Sequence, residues 1–185
     1  MPHPLRSKGW DSTYNPCMAE PFTLRRATPD DAAAILACLR IAFEPFRGEY
    51  SPEGFADSTL TAATVHQRLR EMSVYVAVAH DGEVIGTVGC HAVGGAKDGH
   101  AGHLKNDGHF RGMAVLPGWQ GRGVAERLLE AVEQELRALG CTRVTLDTTA
   151  PLARAIRFYE RHGYRATGRV GDFYGMPLYE YAKAL

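Results

Sequence analysis

The chain has 185 residues, of which 45% are hydrophobic and 23% are charged, and this composition suits one globular domain with an ample core. Its 21 basic residues balance its 21 acidic residues without any block of like charge, which argues against nucleic acid as a main partner. No run of about 18 apolar residues occurs, so no membrane span is expected.

The first 20 residues contain three prolines, show no apolar period and lack the apolar core of a signal peptide. We therefore expect residues 1–20 to form an N-terminal tail and residues 21–185 to form one folded domain. The cysteines are far apart and form no CxxC pair, so reduced thiols in a cytoplasmic protein are expected. They are Cys17, Cys38, Cys90 and Cys141.

Hydrophobic periodicity and turn residues predict the elements of the first half of the chain. Thr28, followed by a proline and two aspartates, has the residues of a helix start. Asp81 and Gly82 are typical of a tight hairpin turn. The predicted order is a strand at Phe22–Arg26, a helix carrying Ile35, Leu36, Leu39 and Phe43, a loop over 44–57, a helix over Ser58–Met72, and strands at Val74–Ala79 and Val84–Val93.

The second half begins with a glycine-rich loop and then alternates strands with helices. The predicted order is a loop over Gly94–Gly108, a strand at Met113–Leu116, a helix from Val124 to Leu139, a strand at Arg143–Asp147, a helix over Pro151–His162, and strands at Tyr164–Val170 and Pro177–Ala182. This order predicts a mixed α/β fold, in which helices cover a twisted sheet whose early strands pair as hairpins.

The turn before the longest helix is the most informative segment, and it reads Gln-Gly-Arg-Gly-Val-Ala over residues 120–125. Glycines between a buried strand and a helix start expose several backbone N–H groups, and the helix dipole adds partial positive charge there. Anionic phosphate is the ligand that such a turn suits. A dinucleotide is the rival ligand, but Glu126 stands where that pattern has a third small residue, and antiparallel hairpins precede the turn.

Gln120, Gly123 and Ala125 resemble the acyl-CoA signature of the GCN5-related N-acetyltransferase (GNAT) superfamily. The segments 112–117 and 158–164 also match that family, in order and at its usual spacing. The resemblance covers Phe22 to Leu185, and it implies a central twisted, mostly antiparallel sheet flanked by helices. It also implies that acetyl-CoA is the cosubstrate, with its pyrophosphate on the glycine turn and its pantetheine arm between the strands at Met113–Leu116 and Arg143–Asp147. The cofactor-binding residues that it implies are Met113, Ala114, Val115, Gln120, Gly121, Arg122, Gly123, Val124 and Ala125.

The resemblance also assigns catalytic candidates. Tyr159 corresponds to the general acid that protonates departing CoA thiolate, and a phenol of pKa about 10 and a thiol of pKa about 8.5 suit that exchange. Helical spacing alone would make Tyr159 a core aromatic. Two loops form the acceptor pocket in that family, and here they contain Glu44 and Asp172–Tyr174. Glu44 could act as a base or as an anchor for the substrate ammonium, and the alternative is that it is a solvated loop residue. Leu152 stands where the family often has an asparagine that binds pantetheine, so backbone pairing with Met113–Val115 is expected to contribute more.

Four histidines surround the glycine-rich loop, at His91, His100, His103 and His109. They lack the acid or thiol partners of a convincing zinc site, so no metal is expected, and His109 adjoins the strand that should flank the thioester. The resemblance implies an N-acetyltransferase domain over residues 21–185 that acetylates a primary amine by direct attack, and a non-catalytic acyl-CoA-binding module is the alternative. The expected acceptor is a small-molecule amine or a peptide N-terminus, and a homodimer is an open alternative to a monomer.

Overall fold

The computed structural model describes residues 21–93 and 106–185. The predicted tail over 1–20 and most of the predicted loop over 94–108 lie outside these ranges, so the boundary of the domain stays a prediction. The described strands are β1 (Phe22–Arg26), β2 (Ser73–Ala79), β3 (Val84–Val93), β4 (Asp107–Val115), β5 (Arg143–Thr149), β6 (Arg165–Phe173) and β7 (Met176–Ala184). The described α-helices are α1 (Ala32–Phe43), α2 (Pro52–Thr59), α3 (Ala62–Glu71), α4 (Val124–Ala138) and α5 (Ala153–Arg161).

The described strands form one sheet in the order β1-β2-β3-β4-β5-β7-β6. Neighbouring strands are antiparallel except for β4 and β5, which are parallel. The predicted mixed α/β fold with a mostly antiparallel sheet is therefore confirmed. A parallel pair in the middle of the sheet needs a crossover connection, and α4 supplies it.

The strands β4 and β5 separate halfway along their length. Their pairing runs from Asp107 opposite Arg143 to Phe110 opposite Leu146, whereas β4 remains paired with β3 as far as Val115. Between Arg111 and Ala114, β4 has one residue more than the facing segment of β3, and Gly112 has a φ of +64°. This β-bulge bends β4 at the point where it leaves β5. A gap between two strands is thereby built into the centre of the sheet.

Helices cover both faces of the sheet. Two glycines of β3 show which helix covers each face. A Cβ on Gly86 would meet Val124 and Leu128 of α4, whereas a Cβ on Gly89 would meet Arg68 of α3 and Met72 at its end. The helix α4 buries most of the apolar face that its periodicity predicts, at Val124, Leu128, Leu129, Val132 and Leu136. Leu139, predicted on the same face, follows the last helical residue and is 52% exposed. Burying a leucine or valine side chain contributes about 1.5–3 kcal/mol, so this face anchors α4 and the turn that precedes it.

Three predicted elements have wrong boundaries. The strand β4 begins at Asp107 rather than Met113. The sequence does not indicate this start, because Asp107 is charged, and the residue that pairs with its carboxylate at 2.6 Å, Arg143, is distant in the chain. The predicted loop over 44–57 contains a 3₁₀ helix at Glu44–Glu49 and the helix α2, whose first turn is capped by Ser51. The predicted helix over Ser58–Met72 is divided at Leu60, which has a φ of +62°.

The cysteines in the described part of the chain, Cys38, Cys90 and Cys141, are free and buried. Burial raises the pKa of Cys38 and of Cys90 to about 12, so these thiols stay protonated at neutral pH and do not supply a nucleophile. No helix in the described ranges is long and apolar enough to cross a membrane.

Candidate active site

A cavity of about 330 Å³ lies where β4 and β5 separate, and we call it the cofactor cavity. Its walls come from β4, the glycine turn, the end of β5 and α5. Of the predicted cofactor-binding residues, six line it: Met113, Ala114, Val115, Gln120, Gly121 and Ala125. The other three do not line it. The side chain of Val124 is buried against β3, Gly123 is the N-cap of α4, and the guanidinium of Arg122 lies 5.4 Å from the ring centre of Trp119.

The glycine turn has the conformation that anion binding requires. Gly121 and Gly123 have φ values of +76° and +83°, which L-residues rarely adopt, and a Cβ on either would meet nothing within 4 Å. The first backbone N–H groups of a helix have no partner within it, and Gly121 and Ala125, on either side of the start of α4, line the cavity. The turn can therefore accept a phosphate close to its backbone.

Gln120 joins the end of β4 to α5. Its side-chain amide donates to the carbonyl oxygen of Val115 at 3.2 Å, and its amide oxygen accepts from Arg154 at 2.7 Å. Arg154 and Arg161 both line the cofactor cavity. The sequence did not predict that these two arginines line the cavity, because a single arginine on an amphipathic helix does not indicate a binding site.

Tyr159 lies in the cofactor cavity and in the core at once. Its ring packs against Phe110 at a centroid distance of 5.7 Å and against Tyr164 at 5.9 Å, and the residue is 7% exposed. Burial raises the pKa of its hydroxyl, so the phenol is protonated at neutral pH. Burial would also raise the pKa of a thiol formed in the same cavity, because desolvation disfavours both anions.

A larger cavity of about 1070 Å³ adjoins the first, and we call it the acceptor cavity. Asp172, Phe173 and Tyr174 line it, as the resemblance implies for that loop. Tyr50 also lines it, and its ring packs edge-on against Phe173 at a centroid distance of 6.2 Å. The residues that line both cavities are Phe43, Arg111, Gly112, Asp147, Thr148 and Leu152. The two cavities therefore meet at the bulge in β4 and the end of β5.

His109 is buried beside this junction. The hydroxyl of Thr145 lies 3.2 Å from the carbonyl oxygen of Gly108 and 2.9 Å from Nδ1 of His109, and when it donates to Gly108 it accepts from Nδ1–H of His109. The basic nitrogen of His109 is then Nε2, which lies 3.9 Å from a carboxylate oxygen of Asp147. Both side chains line the acceptor cavity, and together they can take up a proton there.

Glu44 is placed differently. Its carboxylate accepts two hydrogen bonds from Arg47, at 2.9 and 2.8 Å, and its side chain is 58% exposed. The hydrogen bonds from Arg47 lower the pKa of Glu44, which makes it a weaker base. Glu44 lines neither of the two cavities. Its role as a base stays a prediction that this geometry does not favour.

Thr148 offers a hydrogen-bonding group at the junction. Its hydroxyl oxygen is buried and has no hydrogen-bond partner among the described residues, and its side chain lines both cavities. A ligand that crosses the junction can supply the missing partner. Sequence reasoning missed Thr148, since nothing distinguishes it from Thr149 beside it.

Within residues 21–93 and 106–185, no group of three or more histidine, cysteine, aspartate or glutamate side chains could hold a metal ion. His100 and His103 lie outside these ranges, so the prediction that the glycine-rich loop is not a metal site is not tested.

Comparison with known proteins agrees with this geometry. The model of the acetyltransferase (GNAT) family matches residues 35–164. The chain is 33% identical over 160 residues to an aminoglycoside N(6')-acetyltransferase type 1 of Stenotrophomonas maltophilia, covering 84% of this chain and 94% of that protein. It is 29% identical over 148 residues to an aminoalkylphosphonate N-acetyltransferase of Salmonella typhimurium, covering 77% and 84% respectively.

Solved structures share the fold. The PaiA N-acetyltransferase of Thermoplasma acidophilum, crystallised with coenzyme A, superposes with a TM-score of 0.68 at 15% identity, over 89% of this chain and 99% of that one. A GCN5-related N-acetyltransferase of Rhodopseudomonas palustris superposes with the same TM-score of 0.68 at 23% identity, over 89% and 96%. The chain belongs to the GNAT family of acetyltransferases, as its motifs predicted.

Proposed function

We propose that this acetyltransferase moves an acetyl group from acetyl-CoA to the primary amine of a small acceptor. The observation that carries the proposal is the meeting of two cavities at Gly112, Asp147 and Thr148. One cavity leads to the glycine turn, which suits a pyrophosphate, and the other is lined by acidic and aromatic side chains. A thioester at the junction could be reached by an amine from the opposite side.

Coenzyme A fits the cofactor cavity in its charge and in its shape. The backbone N–H groups at the start of α4 would hold the pyrophosphate, with Arg154 and Arg161 nearby to balance its charge. The pantetheine arm would lie in the gap between β4 and β5, against the backbone of Met113–Val115. A nicotinamide dinucleotide is less suitable, since β4 and β5 are the one parallel pair in the described sheet and no doubly wound set of strands surrounds the turn.

We infer an amine acceptor because the two relatives described above are named for amine-bearing substrates, an aminoglycoside and an aminoalkylphosphonate. A cavity of about 1070 Å³ can enclose a small molecule of that kind. A peptide N-terminus is the alternative acceptor. Cytoplasmic location and a homodimer stay predictions.

We place the chemistry at the junction as a direct transfer. Nε2 of His109, supported by Asp147, would take a proton from the acceptor ammonium, and the free amine would attack the thioester carbonyl. A backbone N–H of β4 near Val115 would stabilise the oxyanion. The bond between carbonyl carbon and sulfur then breaks, and Tyr159 would donate a proton to the departing thiolate. The products are the N-acetylated acceptor and CoA.

The test is to follow release of free thiol from acetyl-CoA with amino acids, aminophosphonates, polyamines, aminoglycosides and peptides as acceptors, while calorimetry measures CoA binding. We expect CoA to bind and at least one amine to release thiol. Binding without thiol release for any amine would favour the non-catalytic acyl-CoA-binding module, and absence of CoA binding would overturn both.

A further inference from the structure

Arg68 is a buried cation at the junction of the two cavities. It lies on α3, is 9% exposed and lines the acceptor cavity. Its guanidinium lies against the bulge in β4, so closely that a Cβ on Gly112 would be 2.2 Å from Nη1. Gly112 lines both cavities, so the guanidinium is beside the place where an acceptor would meet the thioester.

This guanidinium donates no hydrogen bond and forms no ion pair within the described residues, and the anion that acts on it from nearby, Asp57, is itself paired with Arg111 at 3.0 Å. Burial is the main cause that lowers the pKa of Arg68 to about 10; the charge of Arg111 lowers it further, and the charge of Asp57 raises it. Arg68 is still protonated at neutral pH, and a buried charge without a partner is destabilising. A buried charged side chain without a hydrogen-bond partner is typical of a binding site.

We propose that Arg68 is the anchor for an acidic group on the acceptor, so that the acceptor is a small zwitterion that carries both a primary amine and a carboxylate, phosphonate or phosphate. This proposal rests on the function proposed above. A guanidinium donates a fork of hydrogen bonds that matches such planar or tetrahedral anions. The ammonium end of the same molecule would face Asp147 and His109, which line the same cavity.

The position of Arg68 also limits the length of the acceptor. Since the guanidinium contacts Gly112 and the amine must reach a thioester at the same junction, the acid and the amine must be close together. A short linker between the acid and the amine is therefore expected. A polycationic acceptor would instead use the acids of the cavity and would be repelled by Arg68 and Arg111.

The test compares acceptors that differ only in the acid: 2-aminoethylphosphonate and β-alanine against ethylamine, with spermidine as the polycation. For the wild type we expect kcat/KM to be at least about tenfold higher for the acidic amines. Arg68→Gln should lower kcat/KM for those amines by about 10- to 100-fold, mainly through KM, because charge-assisted hydrogen bonds are lost. The advantage of the acidic amines over ethylamine should then disappear. The two acidic probes separate a phosphonate from a carboxylate preference.

Arg70→Gln is the matched control, since Arg70 is exposed on the same helix and lines neither cavity. It should keep the full preference for acidic amines. Arg68→Met should leave the melting temperature unchanged or higher, because it removes a buried unpaired charge. A clear fall in melting temperature would instead assign Arg68 a structural role.

Preference of the wild type for ethylamine or spermidine, or an unchanged preference in Arg68→Gln, would overturn the anchor while leaving the acetyltransferase function intact. If no amine released thiol, the proposed function would fail, and calorimetry of 2-aminoethylphosphonate with the CoA-bound protein would still decide the inference. Binding to the wild type that is lost in Arg68→Gln supports the anchor. Equal binding by both proteins contradicts it.

Discussion

At the residue level, the proposed role of Tyr159 as the general acid can be separated from its role in packing. Its ring is held by Phe110 and Tyr164, while the residue lines the cofactor cavity. Tyr159→Phe keeps the ring and removes the hydroxyl. We expect kcat to fall about 10²–10⁴-fold, the usual contribution of a general acid, while the dissociation constant for CoA changes little. Steady-state kinetics with the best acceptor and calorimetry with CoA measure the two effects; an unchanged kcat would leave Tyr159 as a core aromatic.

The base can be identified by pH dependence. If His109 is the base, His109→Gln removes the proton acceptor at the junction, so only acceptor molecules that are already deprotonated react. The rate should then rise about tenfold per pH unit up to the pKa of the acceptor amine, which is near 10.4 for an alkyl ammonium such as lysine. The wild type should level off at lower pH. Glu44→Gln separates the two candidates, because a steep profile in that variant and not in His109→Gln would restore Glu44 as the base.

Among the elements, the glycine turn and the helix behind it form one structural unit, since the buried face of α4 fixes the position of the turn. Gly123 and Gly140 have φ values of +83° and +81°, and a Cβ on either would meet nothing within 4 Å. Gly123→Ala and Gly140→Ala should therefore destabilise the fold by similar amounts, about 1–2 kcal/mol each. Only Gly123→Ala should also weaken CoA binding, because its methyl group projects where a pyrophosphate would approach. Equal CoA affinity in the two variants would argue against phosphate binding at this turn.

The start of α1 gives a prediction for pH-dependent stability. Asp31 accepts from both terminal nitrogens of Arg25 at 2.7 Å and from the backbone N–H of Thr28 at 2.7 Å. The hydrogen bonds from Arg25 are the main cause that lowers the pKa of Asp31 to about 2. The stabilisation is present above the unfolded pKa, near 3.9, and is lost as pH falls towards 2.

Asp31→Asn should destabilise the protein by about 1–2 kcal/mol at pH 7, a value reduced because Arg25 is half exposed. The difference from wild type should shrink as pH falls below about 4. Urea unfolding at a series of pH values measures both. Asp30→Asn is the control, since Asp30 is exposed in the same turn, and a loss of the same size in that variant would mean that helix charge rather than the Arg25 pair is responsible.

Strong local periodicity explains which elements could be predicted from the sequence. The apolar face of α4, the hairpin at Asp81 and the glycine turn are each encoded by neighbouring residues, and all three are found where expected. The start of β4 could not be predicted, because Asp107 is stabilised by a residue of β5. The sequence likewise did not predict that His109 lies beside Asp147, or that Arg68 lines the acceptor cavity without an ion pair. Both arrangements depend on residues that are distant in the chain and that the sheet brings together.

At the scale of the whole molecule, binding of the cosubstrate should stabilise the fold. CoA at about 100 times its dissociation constant adds ~2.7 kcal/mol to the free energy of unfolding. For a chain of this size, that corresponds to a rise in melting temperature of about 5–10 °C. NAD should give no shift. A shift with NAD and none with CoA would contradict the assignment of the cofactor cavity.

In the proposed mechanism the acetyl group passes directly from acetyl-CoA to the amine at the junction of the two cavities. A single turnover with ¹³C-acetyl-CoA and the best acceptor, followed by mass spectrometry of the intact protein and of the small molecules, distinguishes this from transfer through the protein. We expect the label to appear in the acceptor amide, CoA to appear at the same rate, and the mass of the protein never to increase. Labelled acetyl-protein that forms first and then passes its label to the amine would contradict direct transfer.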